Sequence, residues 1–183
     1  GGYMTYLPDY HYPFIFSNFN GTQGDVNVLT HEVGHALQGY LSGKITPPDF
    51  RAPTLEACEI HSMSMEFFAW PYMKDFFGKD DDKDRFAHLA DAIEFLPYGI
   101  SIDEFQHWVY EHPTATHEER CKIWLDIQSR YEPHKKYDKE CTCFGHGAAW
   151  IRQSHIFGAP FYYIDYTLAQ VCAFQFLDEL RQH

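Results

Sequence analysis

Long apolar segments are missing from this sequence. No apolar run in its 183 residues approaches the roughly 20 residues that a membrane-spanning helix needs. The first residues also lack the charged and then apolar order of a secretory signal peptide. The sequence therefore predicts neither a transmembrane segment nor an export signal.

Basic residues are also scarce. Lysine and arginine together number 14, against 26 aspartates and glutamates, which gives a formal net charge of -12. Nucleic acids and anionic lipid surfaces repel a chain of that charge, and no basic stripe offsets it. We therefore expect neither nucleic acid nor membrane among the partners.

Cysteines are few and irregularly spaced. Their number, five, is odd, whereas small secreted domains pair even sets of cysteines in a disulfide framework. This usage fits a reducing compartment, and we predict a cytoplasmic protein. Cys141, Cys143 and His146 could form a second metal site, but the usual two-residue gap between cysteines is absent, so we favour a mobile loop there.

Material for a hydrophobic core is present in quantity. Hydrophobic residues make up 45% of the chain and aromatic residues 18%, and we expect most of the rings to pack in that core. We find no internal repeat and no domain boundary. Residues 1–183 are therefore predicted to form a single domain.

One short segment has histidines and a glutamate at a spacing typical of a metal site. Residues 31 to 35 read His-Glu-Val-Gly-His, which is an H-E-x-x-H motif. Positions four apart lie one above the other on a helix, so His31 and His35 can bind one zinc ion from the same face. Glu32 is placed beside the first histidine to take a proton from a metal-bound water.

Local signals predict a helix through this motif. Asp25 is a suitable N-cap, and Gly39 and Gly43 provide a stop signal. Apolar residues recur at three- and four-residue steps, at Val26, Leu29, Val33, Ala36 and Leu37.

The rest of the chain is predicted to be mainly helical, with a small β-hairpin before the motif. The expected strands cover residues 4–7 and 14–19, and the expected helices cover 54–78 with a kink at Pro71, 85–96, 101–111, 118–131 and 161–180. Residues 97–99, Pro-Tyr-Gly, are expected to end one helix and to separate it from the next.

A zinc site of this type needs a third protein ligand. Three glutamates, Glu56, Glu59 and Glu66, lie in the helix that begins near residue 54. Glu59 and Glu66 are two turns apart on one face. Spacing alone does not exclude Glu56, so the choice stays open at this level.

Several longer segments together resemble peptidase family M3, the family of thimet oligopeptidase and oligoendopeptidase F, and within it the Pz-peptidase branch. The segments are FIFSNFNGT, LTHEVGHALQ, PTLEACEIHSMSMEFF, FLPYGISIDEFQH and PFYYIDYTLAQ. The resemblance implies a mainly α, zincin-like catalytic domain that holds one Zn²⁺. It matches His31, His35 and Glu59 to the zinc ligands and Glu32 to the general base. Glu56 or Glu66 could then orient a ligand imidazole.

The resemblance also implies functional residues near the C-terminus. His155 matches a histidine that faces the scissile carbonyl. Tyr163 or Tyr162 is then expected to donate to the oxyanion, and Tyr166 and His155 to contact the substrate. Simple aromatic packing is the alternative for at least one of the three tyrosines.

The function implied is that of a zinc metalloendopeptidase for short oligopeptides, in which Glu32 assists the attack of zinc-bound water. A noncatalytic zinc-binding module is the main alternative, and another zincin hydrolase such as an aminopeptidase is a third. Residues 1–183 would be the C-terminal catalytic part of an M3 peptidase. The large N-terminal part that supplies one wall of the channel in that family is absent, and we expect it to be a partner.

Overall fold

Helices dominate the structure, a computed structural model that describes residues 1–138, 140–141 and 144–182. The helical content is 69%. The strands are β1 (Gly2–Leu7) and β2 (Tyr12–Ser17), and the α-helices are α1 (Gln23–Ser42), α2 (Leu55–Phe68), α3 (Met73–Phe77), α4 (Asp81–Glu111), α5 (His117–Tyr131), α6 (His155–Gly158) and α7 (Tyr163–Gln182). Short 3-10 segments occur at Pro48–Phe50, Trp70–Tyr72, Gly78–Asp80 and Ala148–Arg152. No helix within these described ranges is long and apolar enough to cross a membrane.

The two strands form an antiparallel hairpin directly before α1, as the sequence predicted. Gly2 pairs with Ser17 and Leu7 pairs with Tyr12 at the two ends of the ladder. Alternate residues of β1 are partly buried, including Met4 and Tyr6, and this inner face packs on α1. The predicted fold class, mainly α with a small β-hairpin before the motif helix, is confirmed.

The chain divides into two compact units. The first contains Gly1–Asp91 and the C-terminal segment from Leu168, and the second contains Ala92–Thr167. In the first unit α1 packs between the hairpin and α2. The core of the second unit is a cluster of buried side chains, Ile102, Phe105, Trp124, Ile127, Trp150 and Tyr163. That residues 1–183 form one catalytic domain stays a prediction.

The expected break at Pro97 is wrong, because α4 continues through it as one helix of 31 residues. A proline inside a helix removes one backbone hydrogen bond and costs roughly 3 kcal/mol. Packing on the C-terminal side of Pro97 offsets this cost, since Ile102 and Phe105 are fully buried there. The ring of Tyr98 also packs edge-on against Trp124. Tertiary contacts therefore override the local signal.

Candidate metal centre and its surroundings

Helix α1 begins earlier than the sequence suggested. Its N-cap is Thr22, and Asp25 is the third helical residue of a capping box rather than the cap itself. The Asp25 carboxylate accepts hydrogen bonds from the backbone N–H groups of Asn20, Gly21 and Thr22 at 2.9, 2.7 and 3.1 Å. The helix ends at Ser42 with Gly43 as its C-cap, as predicted, whereas Gly39, the other predicted stop signal, lies inside the helix. The whole H-E-x-x-H motif thus lies inside a helix capped at both ends.

Gly34, inside the motif, allows α1 and α2 to approach closely. A Cβ atom at this position would lie 2.5 Å from the Cα of Ser62 and 2.7 Å from the carbonyl oxygen of His61. Both are backbone atoms of α2, and they cannot move aside as a flexible side chain would. The absence of a side chain at Gly34 therefore brings Glu59, one turn before Ser62 on α2, within reach of the motif histidines.

Replacing Gly34 with alanine is expected to push the two helices apart. We expect a loss of about 1–3 kcal/mol in the free energy of unfolding, as for an overpacked core, together with weaker metal binding. Thermal unfolding and metal titration measure the two effects. The matched control is Gly24→Ala near the start of α1, where the nearest atom to an added Cβ is the Thr22 hydroxyl oxygen at 3.6 Å. Equal stability of the two variants would contradict the close-approach argument.

Three potential metal ligands converge in the first unit. The Nε2 atoms of His31 and His35 lie 3.1 and 3.4 Å from the same carboxylate oxygen of Glu59, Oε2. One potential ligand atom from each of these three side chains lies within 4.8 Å of the other two, so the His/His/Glu group could hold a metal ion. No other such group occurs among the described residues. Glu59 is 4% exposed, and the Ser62 hydroxyl donates to its Oε2 at 3.0 Å.

The chemistry of these donors fits a zinc ion. Two imidazole nitrogens and one carboxylate oxygen are zinc ligands that leave a fourth position open in catalytic sites. For zinc to bind, each histidine must present an unprotonated Nε2 atom. The group that contacts Nδ1 decides which of the two ring nitrogens carries the proton.

A hydrogen-bond chain sets the tautomer of His31. The indole N–H of Trp70 can only donate, and it donates to Nδ1 of His88 at 2.9 Å. His88 must then donate from Nε2 to Glu66 Oε2, 2.8 Å away. The other oxygen of Glu66 lies 2.7 Å from Nδ1 of His31. Glu66 thus accepts a hydrogen bond from the Nδ1–H group of His31, which leaves Nε2 for the metal.

His35 is supported in a similar way by His61. Nδ1 of His35 lies 3.1 Å from Nε2 of His61. Burial and the neighbouring His35 lower the pKa of His61 to about 4, so this imidazole is neutral at pH 7 and can accept a hydrogen bond. His35 can therefore donate from Nδ1 while its Nε2 faces Glu59.

The charges around His31 are strongly coupled. Burial alone would lower the pKa of His31, but hydrogen bonds with Glu59 and Glu66 raise it to about 10. Burial likewise opposes ionisation of Glu66, yet the hydrogen bonds from His31 and His88 lower the pKa of this carboxyl. A metal ion that binds His31 must therefore displace a proton from the imidazole.

Replacing Glu66 with glutamine is expected to weaken metal binding by roughly 10- to 100-fold, as for other residues that support a ligand. The glutamine keeps the size of the side chain, but its NH₂ group faces a histidine N–H and cannot accept from it. Competition with a chelating dye measures the affinity. Glu56→Gln, an exposed glutamate on the same helix, is the control, and equal affinity in both variants would remove Glu66 from this role.

Two further glutamates of this region, Glu32 on α1 and Glu56 on α2, differ in their exposure to solvent. Glu32 is 7% exposed and follows His31 directly in α1. Glu56 is exposed in the first turn of α2 and is outside the His/His/Glu group. The geometry brings Glu59 rather than Glu56 to the histidines, and it gives Glu66 the orienting contact that spacing had left open.

The predicted C-terminal residues form a cluster in the second unit. The ring of His155 lies 6.4, 5.2 and 5.5 Å from the rings of Tyr162, Tyr163 and Tyr166, measured between centroids. Tyr163 is 9% exposed and belongs to the core, and burial together with Tyr98 raises its pKa. The Tyr166 hydroxyl lies 3.4 Å from Nε2 of His155. Which tyrosine donates to an oxyanion stays a prediction.

The possible second metal site near residue 145 includes a residue outside the described ranges. That residue is Cys143, and the choice between a metal site of Cys141, Cys143 and His146 and a mobile loop stays a prediction. The backbone carbonyl oxygen of Cys141 accepts a hydrogen bond from the backbone N–H of Gly145 at 2.9 Å.

Sequence reasoning missed most of the supporting residues. His88 is buried, and its contact with Glu66 has no signal in the sequence because 22 residues separate the two. Gly34 did have a signal in the sequence. A glycine inside a helix lowers its stability, so its presence there indicates a packing or functional reason.

A histidine pair from an H-E-x-x-H helix joined by a glutamate from the next helix is the arrangement typical of gluzincins. A family model described as Peptidase family M3 matches residues 1–183, so the chain belongs to peptidase family M3.

Two relatives illustrate the similarity. The structure titled "PZ peptidase A with inhibitor 2" superposes with a TM-score of 0.96 at 58% sequence identity, covering 100% of this chain and 32% of that one. Oligopeptidase PepF of Bacillus subtilis (strain 168) is 25% identical over 181 residues, covering 91% of this chain and 26% of PepF. The chain therefore spans about a third or less of the length of these relatives.

Proposed function

We propose that this chain contains the catalytic site of a zinc-dependent endopeptidase that hydrolyses internal bonds of short peptides. The observation that supports the proposal most is the convergence of His31, His35 and Glu59 through one carboxylate oxygen and two Nε2 atoms. Membership of peptidase family M3 supports the choice of peptides as substrates.

His31, His35 and Glu59 would hold the zinc ion. When bound, zinc supplies Lewis acidity, which polarises a carbonyl group and makes a water molecule more acidic. The chain's own residues keep the ligands in place: Glu66 holds His31 through Nδ1, and Ser62 holds Glu59 through Oε2.

Glu32 is the proposed general base. Its carboxylate follows His31 directly in the same helix turn, so it can take a proton from the attacking water and pass it to the leaving amine. A structural metal site would not need a carboxylate in this position, and the presence of Glu32 therefore favours an enzyme over a noncatalytic zinc-binding module.

His155 and the tyrosines are the proposed donors to the substrate carbonyl. A hydroxyl or imidazole N–H aimed at a developing oxyanion typically contributes roughly 10²–10³ to turnover. For this chain the roles of Tyr162, Tyr163, Tyr166 and His155 rest on the family resemblance. The clustering of the three phenols around the His155 ring is compatible with those roles.

Metal analysis combined with a quenched-peptide assay tests the proposal. The protein is stripped with a chelator, reloaded with known amounts of zinc and assayed after each addition. We expect peptide cleavage to rise with bound zinc and to level off at one ion per chain. Mass spectrometry of the products then locates the cut, which should lie inside the peptide.

The other outcomes decide between the alternatives. Release of single N-terminal residues would indicate an aminopeptidase. Stoichiometric zinc without hydrolysis, both in this chain and in the chain extended to the length of its relatives, would indicate a noncatalytic module. The cytoplasmic location and the docking of an N-terminal part stay predictions.

A further inference from the structure

Two residues outside the proposed machinery are joined to His155 by hydrogen bonds within the second unit. The Tyr98 hydroxyl donates to Oε1 of Gln153 at 3.0 Å. The Nε2 amide of the same glutamine lies 2.6 Å from Nδ1 of His155. On the far side of the ring, Nε2 of His155 faces the Tyr166 hydroxyl at 3.4 Å. Tyr98, Gln153, His155 and Tyr166 thus form one continuous chain.

The direction of donation along this chain follows from the orientation of the Gln153 amide. A primary amide has a donor side and an acceptor side. Oε1 of Gln153 faces Tyr98 and accepts from its O–H, and the NH₂ group faces His155. An NH₂ group cannot accept a hydrogen bond, and Nδ1 of His155 must therefore be the acceptor. In the neutral imidazole the proton is then on Nε2.

We propose that Tyr98 and Gln153 are positioning residues that hold neutral His155 in its Nε2–H tautomer and so keep it a hydrogen-bond donor on the side that faces Tyr166. This inference rests on the proposed function, because it concerns the residue predicted to act on the substrate carbonyl.

The proposal has a consequence for the chemistry. A neutral imidazole with its proton on Nε2 can donate to an oxygen that becomes negative, whereas the other tautomer presents a lone pair on that side. His155 can then act as a donor without first acquiring a charge. The distance of 3.4 Å to Tyr166 is long for a hydrogen bond, and catalytic hydrogen bonds often shorten only when substrate is bound.

The surroundings of Tyr98 keep it a donor. Burial and the nearby Glu132 carboxylate raise the pKa of Tyr98 to about 12, so the phenol retains its proton at neutral pH. The ring is held by edge-on contacts with Trp124 and Tyr163 at 6.5 and 5.9 Å. Tyr98 also lines a cavity of about 290 Å³ together with Gln153 and Tyr137, and Tyr137 supplies a matched control.

Nitrogen-15 NMR of the imidazole rings tests the tautomer directly. Long-range correlations distinguish a protonated Nε2 from a protonated Nδ1, and comparison with His155→Gln assigns the signal. We expect the Nε2–H form in the unaltered protein. Gln153→Glu replaces the donor with an acceptor and should shift His155 toward the Nδ1–H form. Gln153→Leu should give a mixture of both, and Tyr137→Phe should change nothing.

Kinetics test the consequence for turnover. Tyr98→Phe removes one hydroxyl and keeps the ring, so we expect kcat to fall roughly 10-fold, the effect of about one lost hydrogen bond, with KM within twofold. Tyr137→Phe removes a hydroxyl from the same cavity and should leave kcat unchanged. A purely structural role for Tyr98 would lower the unfolding temperature without this selective loss in kcat.

The two measurements separate failure of this inference from failure of the proposed function. The NMR experiment needs no activity, and an Nδ1–H tautomer in the unaltered protein, or no change in Gln153→Glu, would overturn the inference even in an active enzyme. An unchanged kcat in Tyr98→Phe would overturn the positioning role while the peptidase function stands. If the protein proves inactive, the tautomers still decide whether Tyr98 and Gln153 control His155.

Discussion

Replacement of Glu32 with glutamine is expected to lower peptide turnover by roughly 10²–10⁴-fold, the usual contribution of a general base. The bound metal should stay in place, because Glu32 is outside the His/His/Glu group. Glutamine has nearly the same shape as glutamate but cannot accept the proton of the attacking water at neutral pH. Metal content and peptide turnover are measured on the same preparation. The chain used is the one that cleaves peptides in the zinc-loading assay, either this chain or the chain extended to the length of its relatives.

The comparison with Glu56→Gln makes this result specific. Glu56 is exposed on α2, and its replacement removes the same charge from the same unit without touching the motif. Full activity in Glu56→Gln with bound metal in both variants is the expected pattern. Full activity in Glu32→Gln would remove Glu32 as the base and with it the proposed mechanism.

Replacement of Glu59 with alanine is expected to abolish stoichiometric metal binding and hydrolysis together. Glu59 provides the carboxylate oxygen that approaches both histidine Nε2 atoms, and no other acid of the described residues belongs to this group. The loss should exceed the roughly 10- to 100-fold decrease in affinity that follows changes to groups which only support a ligand. Metal analysis after dialysis measures it.

A second effect should accompany the loss of Glu59. The hydrogen bond with the Glu59 carboxylate helps to raise the pKa of His31, so without it the protonated imidazole is less favoured. Glu56→Ala, one turn earlier on α2, is the control and should retain one metal ion per chain. If Glu56→Ala lost the metal while Glu59→Ala kept it, the choice between the two glutamates would be reversed.

Local rules were sufficient for the motif helix and failed at its exact beginning. The helical period brings His31 and His35 to one face whatever surrounds the helix, and Gly43 ends it as expected. The cap was misplaced by three residues because Asp25 also suits a third helical position, where its carboxylate accepts three backbone N–H groups. Asp25 suits the N-cap and the third helical position equally well, and only the path of the backbone before α1 distinguishes the two positions.

The prediction of two helices around Pro97 failed for a different reason. Proline is a strong local signal, yet its cost is limited to a few kcal/mol. Burial of two large apolar side chains such as Ile102 and Phe105 contributes a comparable amount. No property of residues 97–99 alone shows that this packing is available.

The sequence by itself determined that this chain is mainly helical and that His31, Glu32 and His35 lie together on one helix. Through resemblance it also selected Glu59 among three glutamates and predicted roles for the segment from His155 to Tyr166. These features depend on spacing within one element or on long matching segments. Only the tertiary structure decided which groups support the site residues. Glu66 contacts His31 across 35 positions of the sequence and His88 across 22. Tyr98 contacts Gln153, the neighbour of His155, across 55 positions. Contacts between distant elements have no period in the sequence, because they depend on how closely helices approach, and at α1 and α2 that approach depends on the missing side chain of Gly34.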